Sequence, residues 1–266
     1  GEVWDASSSG KTYVLWNKTA NDSSDSHLKY LGSLKNEKDN SQLTETYVDL
    51  EALLTKYDDL GHKVYLQIES GHVAMPTLIT MALKRLKYKA DGSIKHPSIS
   101  GIGADIEWYK DTNPDKDEET VTAKEVNAWE LLAAGYGCDL FVKHWDIGQG
   151  FKVAIPKEDS DGTKLSKSVT IVDDSQSFDS PGFTSQKSEF KKWLDYYNPN
   201  PVAFQIGYPG DYSWWKGFTD PVLYNSVELR KSFGKDYGAR KMGFVWVDFS
   251  VRYPEVKKYI AGHTPN

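Results

Sequence analysis

The sequence predicts an α/β fold, a single (β/α)8 TIM barrel spanning residues 1–266, and three observations carry that prediction. Short β-branched and aromatic runs alternate with helical patterns along the chain, the order expected of a parallel sheet with helices outside it. No Pro/Gly linker, low-complexity tract or repeat of fixed period divides the chain. Its 266 residues, 39% of them hydrophobic, also suit one barrel.

Seven strands are expected: "YVLWN" (13–17), "KVYLQIE" (63–69), "GIGADIEW" (101–108), "DLFVKHW" (139–145), "VTIVDD" (169–174), "VAFQIGY" (202–208) and "MGFVWVDF" (242–249). The eighth is either "VWDAS" near the N-terminus or "LKYLGSL" (28–34). Between them, Tyr47, Leu50, Leu54 and Tyr57 fall at helical spacing, as do Phe190, Trp193, Leu194 and Tyr197, each set giving one apolar stripe to pack on a sheet. Thr122 with Glu125 forms a capping-box pattern at the start of "AKEVNAWELLAAGYG", whose glycines stop the helix. Asp220 followed by Pro221 opens the helix "VLYNSVELRKSFG" in a similar way.

Composition excludes several function classes. The net charge is −6 and the charges are interspersed, so no basic stripe offers a nucleic-acid backbone anything to hold. No apolar stretch approaches the roughly 20 residues that cross a bilayer, and none reads as a signal peptide, so a water-soluble chain is expected, and a monomer is the expected state. Gly1 in place of an initiator Met fits a trimmed product and equally a cloning choice. Two sequons, at Asn17 and Asn21, permit glycosylation and fit an extracellular or cell-surface location. The single cysteine, Cys138, reads as a buried structural thiol. The six histidines show no HExxH spacing, no GxGxxG or P-loop follows a strand, and GxSxG is absent, so no metal, cofactor or serine triad is expected.

Chemistry concentrates at strand ends. In a barrel the loops after the strands build the active site, and Glu69, Asp105, Glu107, Asp146, Asp173, Asp174, Tyr208 and Asp248 all fall there. Strand ends are also where chains become polar, and Asp173, Asp174 and Asp248 read equally well as surface acids. Asp105 and Glu107 are more specific. Residues two apart on a strand share a face, so Gly103, Asp105 and Glu107 point to the barrel axis while Ala104, Ile106 and Trp108 point to the helices. Two acids in one desolvated space do not both ionise cheaply, and the one that keeps its proton is a general acid able to protonate a glycosidic oxygen.

"GIGADIEW" resembles the fourth-strand signature of the family 18 glycoside hydrolases, the chitinases and related endo-N-acetylglucosaminidases, written D-G-x-D-x-D-x-E and ending "DIE" in the plant class III type. The resemblance implies Glu107 as acid/base and Asp105 as the group that orients and stabilises the substrate acetamido during its attack on the anomeric carbon. Ser100 and Gly103 stand where the family has its first two aspartates, and both are departures. "FQIGY" is similar to the family's late-strand segment carrying a Tyr that hydrogen-bonds the acetamido carbonyl, which implies Tyr208 with Gln205 nearby. "GFVWVDF" resembles the last strand, whose Trp floors the subsite, which implies Trp246.

The resulting expectation is a secreted, retaining glycoside hydrolase that cleaves an N-acetylhexosamine-containing glycan by substrate-assisted catalysis. Glu107, Asp105 and Tyr208 are its catalytic residues, and Trp246, Gln205, Glu69, Asp146, Trp214 and Trp215 bind the sugar. Trp214 and Trp215 enter through the loop "GYPGDYSWW" (207–215), read as a sugar platform because loops at this rim carry function, with self-packing as the alternative. His144 either lines the mouth or packs. Two rival readings stay open. One is a lysozyme-like, family 25-type hydrolase using the same carboxylates with Asp248 or Asp146, and the other is a catalytically inactive carbohydrate-binding barrel.

Overall fold

The computed structural model describes residues 50–71, 74–109, 121–145, 147, 155–175, 183–238, 241–247 and 254, without the side chains of residues 50, 51, 69–71 and 107–109. Within them the chain runs α1 (Leu50–Asp59), β1 (Val64–Gly71), α2 (Met75–Ala82), β2 (Ile99–Tyr109), α3 (Ala123–Gly135), β3 (Asp139–His144), β4 (Thr170–Asp173), α4 (Phe183–Tyr196), β5 (Val202–Ile206), α5 (Tyr212–Trp215), α6 (Pro221–Tyr237) and β6 (Met242–Trp246). The strands form one six-stranded parallel sheet in chain order, β1 to β6. Six of the seven expected strands are therefore in place. The strand expected at 13–17, and both candidates for the eighth, lie outside the described residues, which hold six strands rather than a closed eight-stranded barrel.

Local signals explain the elements. Thr122 and Glu125 close the capping box at α3: the Thr122 N–H donates to Glu125 Oε2 at 2.9 Å and the Glu125 N–H to Thr122 Oγ1 at 3.1 Å. Asp159 accepts the next two amides, from Ala123 and Lys124. At α6, Asp220 accepts the Leu223 amide at 3.0 Å and Pro221 takes the first turn. All four residues of the stripe expected on α4 are buried, and so is Leu54 of α1, whereas Tyr47 lies outside the described residues.

The chain divides into two compact units. The first contains α1, β1, α2, β2 up to Ala104 and the segment Ala128–Leu140. Its core includes Leu54, Ile79, Leu83, Ile102 and Trp129, and α2 packs on β1. Here Gly101 leaves space that a Cβ would take from the Tyr65 ring, 2.2 Å away, so Tyr65 crosses β2 and donates its hydroxyl to Asp139 on β3 at 3.0 Å. Cys138 is buried, as expected, and the Lys87 ammonium donates to its sulfur at 3.2 Å.

The second unit takes Asp105–Glu107 of β2, the start of α3 and the chain from Phe141 onward. α4 packs on β5 and α6 on β6. Phe190 of α4 stacks on Phe204 of β5 at 4.1 Å and 14°, and both rings are fully buried. Among the described residues, each unit carries one short hairpin that the sequence patterns did not suggest. Tyr88 bridges Ile94 around Asp91, Gly92 and Ser93, and Glu158 bridges Lys164 around Asp161, Gly162 and Thr163. In each, the Asp carboxylate accepts the amide two residues on and the Gly takes a left-handed φ, 83° and 84°. Among the described residues no helix is long and apolar enough to cross a membrane.

Candidate active site at the C-terminal strand ends

Register places the site. Lys143 of β3 stands beside Val172 of β4, Val172 beside Ala203 of β5, and Ala203 beside Gly243 of β6. One residue on, His144, Asp173, Phe204 and Phe244 align in the same way on the opposite face. The second set faces α4: the His144 ring lies 4.6 Å from Trp193, its Nε2 shares a hydrogen bond with the Tyr197 hydroxyl at 2.9 Å, and Phe204 stacks on Phe190. His144 therefore packs. Alternation puts Asp174 and Gln205 on the face of Lys143, beyond the ends of the apolar pairs.

On that face a polar chain crosses four strands. The Lys143 ammonium contacts Asp105 Oδ2 of β2 at 2.7 Å and Asp174 Oδ2 after β4 at 2.5 Å. Asp174 Oδ1 accepts from Gln205 Nε2 at 2.8 Å, and the same nitrogen donates to the Tyr208 hydroxyl. A carboxylate cannot donate, so the Gln205 amide must turn its NH2 toward Asp174. The Tyr208 oxygen is then an acceptor toward Gln205, and its own hydrogen points elsewhere. Lys143 is 7% exposed and Asp105 3%. Burial on its own depresses the Lys143 amine, but the charges and hydrogen bonds of Asp105 and Asp174 outweigh it and hold the ammonium above its ordinary range.

Tyr208 is set by the turn after β5. Gly207 has φ 86°, and a Cβ there would meet the Trp246 ring at 2.3 Å, so glycine is required on both counts. The Tyr208 carbonyl then accepts from Trp215 Nε1 at 3.1 Å and from the Asp211 amide at 3.0 Å. These bonds fix the buried Tyr208 over the strand end.

The sequence expectations meet this geometry unevenly. Asp105, Gln205 and Tyr208 come together. Trp246 aligns with Ile206, on the face opposite Gln205, and packs on Gly207 and on Trp215 at 5.4 Å; it supports the Tyr208 turn from beneath. Trp215 is fully buried, in edge contact with Tyr212 and Trp246, and offers no face to a sugar. The loop expected as a platform packs on itself here, because Pro209–Asp211 and Tyr212–Trp215 coil into two short helical turns that roll Trp215 inward. Trp214 is half-buried between Phe183 and Phe218. Glu107 lies in β2 and Glu69 in β1, with their side chains outside the described residues, as are Asp146 and Asp248 altogether.

Two features escaped sequence reasoning. Lys143, inside "FVKHW", became the centre of the cluster, so the close neighbour of Asp105 is a cation as well as any acid. Asp173, which the sequence left open between a strand-end site acid and a surface acid, is fully buried. Its Oδ1 accepts from the Ser175 amide at 2.8 Å and hydroxyl at 2.5 Å, while Oδ2 is buried without a hydrogen-bond partner. Burial drives its carboxyl well above the usual range, against the pull of the Ser175 bonds. The only local signal is the Asp-x-Ser spacing, which is common in turns.

Among the described residues no group of His, Cys, Asp or Glu is arranged to hold a metal ion. No family model matches the chain, and no curated protein or solved structure matches it either.

Proposed function

We propose that the chain is a retaining glycoside hydrolase acting on an N-acetylhexosamine-containing glycan, with Glu107 as acid/base, Asp105 as the acetamido partner and Tyr208 as the carbonyl ligand. The observation that supports this reading is the continuous polar chain Asp105–Lys143–Asp174–Gln205–Tyr208 on one sheet face at the C-terminal strand ends. An acetamido group presents one N–H donor and one carbonyl acceptor, and the chain ends in complementary groups, a carboxylate at one end and a phenol at the other. In this reading Glu107 protonates the glycosidic oxygen as the acetamido oxygen attacks the anomeric carbon. The leaving sugar departs as an alcohol. Water, deprotonated by Glu107, then opens the cyclic intermediate with retention.

One observation favours the carbohydrate-binding alternative. Asp105 is tied to a buried ammonium, an arrangement that serves a fixed ligand contact as well as a catalytic one. Glu107→Gln separates the two. Reducing-end release and binding are measured on N-acetylglucosamine oligomers, peptidoglycan and N-glycans. The hydrolase reading expects release to fall by about 1,000-fold or more with binding retained. Binding by a parent that releases nothing from any of these glycans sinks the hydrolase and leaves the binding protein.

A further inference from the structure

Lys143 stands out among the buried charges because the activity proposed above does not require a lysine. Its ammonium sits between two carboxylates drawn from different strands, Asp105 on β2 and Asp174 beyond β4. Through Asp174 it connects, one hydrogen bond further on β5, to Gln205 and Tyr208. The ammonium holds Asp105 by its Oδ2 oxygen. Without it, the two buried carboxylates lose the cation that they share.

We propose that Lys143 is the positioning residue of the site: by holding Asp105 and Asp174 on one ammonium, it aims the Asp105 carboxylate at the acetamido N–H and links that aim, through Asp174 and Gln205, to the hydroxyl of Tyr208. Both ends of the acetamido group are thereby read by one connected structure. The site selects N-acetylated over deacetylated or simple hexoses, because a glucosamine and a glucose both leave the phenol of Tyr208 without a carbonyl to hold. The inference rests on the glycosidase reading for its kinetic readout and on sugar binding when there is no turnover.

The test compares the parent with Lys143→Gln, which keeps donors and drops the charge, and Lys143→Arg, which keeps the charge. Reducing-end release from N-acetylglucosamine oligomers is followed between about pH 4 and 9. Lys143→Gln is expected to lower kcat/KM by about 100-fold and to move the acid limb of kcat upward by about one pH unit. Lys143→Arg brings the limb back. A Lys143→Gln profile whose limb stays in place overturns the proposal, as does a Lys143→Arg limb displaced as far as that of Lys143→Gln.

If the parent cleaves none of these oligomers, the glycosidase reading falls, and affinity for the same oligomers decides the role of Lys143. Weaker binding by Lys143→Gln, restored in Lys143→Arg, upholds it, and equal affinity in all three overturns it. If neither variant folds, the 15N resonance of the Lys143 ammonium in the parent is read on adding the N-acetylglucosamine tetramer. A shift that the glucose tetramer does not cause upholds the proposal, and no shift overturns it.

Discussion

Asp173 and Asp174 are neighbours at the end of β4, yet the sheet treats them as opposites. Asp173 turns to the face covered by α4, among His144, Phe204 and the rings of Trp193 and Tyr197, where Ser175 satisfies one oxygen and the other has no partner. Asp174 turns to the other face, where Lys143 and Gln205 each take one of its oxygens. A strand's two-residue period thus separates an acid that burial pushes toward its neutral form from an acid that a cation holds in an ion pair. The difference explains why the polar face can host chemistry while the other face serves packing.

The comparison breaks most severely at Lys143. Lys143→Met leaves Asp105 and Asp174 buried without their cation, and loss of one partner of a buried pair costs about 3–5 kcal/mol. Urea unfolding at neutral pH should report a loss of that size. A loss below about 1 kcal/mol, the value of an exposed pair, means that the ammonium is solvated. The raised Lys143 value also fixes the pH window: its stabilisation is fully present below the ordinary lysine range and is lost only as pH rises through the folded-state value, so it is constant at neutral pH.

Asp173 carries the opposite linkage. Its folded-state carboxyl is raised, so its contribution is fully present below the ordinary aspartate value of about 3.9 and is lost as pH rises through the folded-state value. Asp173→Asn removes the ionisation and keeps an acceptor for Ser175. The variant is expected to be more stable than the parent by about 1–3 kcal/mol near pH 7, with the gain vanishing near pH 3. Denaturant midpoints measured across pH check this, and an Asn variant that is weaker near pH 7 shows that the carboxylate is compensated.

Gln205→Leu sharpens the contrast at the other end of the polar chain. It removes one donor each from Asp174 and Tyr208, for a loss of about 1 kcal/mol. On the proposed reading kcat/KM falls by about tenfold, since the Tyr208 hydroxyl loses the bond that orients it. Thermal melts and steady-state rates together separate the two effects.

How much of this was legible follows from what each feature depends on. The six strands and the caps of α3 and α6 were readable because they rest on runs of β-branched residues and on Thr122, Glu125, Asp220 and Pro221 at short spacing. Asp105, Gln205 and Tyr208 were readable as strand-end polar residues. Lys143 was not, since a lone lysine in an apolar run looks like a surface position until strand order and register bring Asp105 and Asp174 to it. The split between Asp173 and Asp174 was likewise hidden, because alternation says that they face apart but not which face α4 covers. Of the two readings of the 207–215 loop, self-packing holds for Trp215, because two short helical turns that a Gly/Pro-rich stretch does not announce carry its ring inward. The hairpins at 88–94 and 158–164 share Asp-Gly-Ser/Thr, with a Lys four residues before the Asp and a Ser seven after it, a pattern too sparse to register as a repeat.

The most direct test of the central claim is a crystal structure of the protein with the thiazoline of N-acetylglucosamine, which mimics the cyclic intermediate of substrate-assisted cleavage. The thiazoline nitrogen is expected within hydrogen-bond reach of the Asp105 carboxylate, with the ring near the Tyr208 hydroxyl and Lys143 still bridging Asp105 and Asp174. A thiazoline seated away from this face, or excluded from a protein that still cleaves N-acetylglucosamine oligomers, contradicts it.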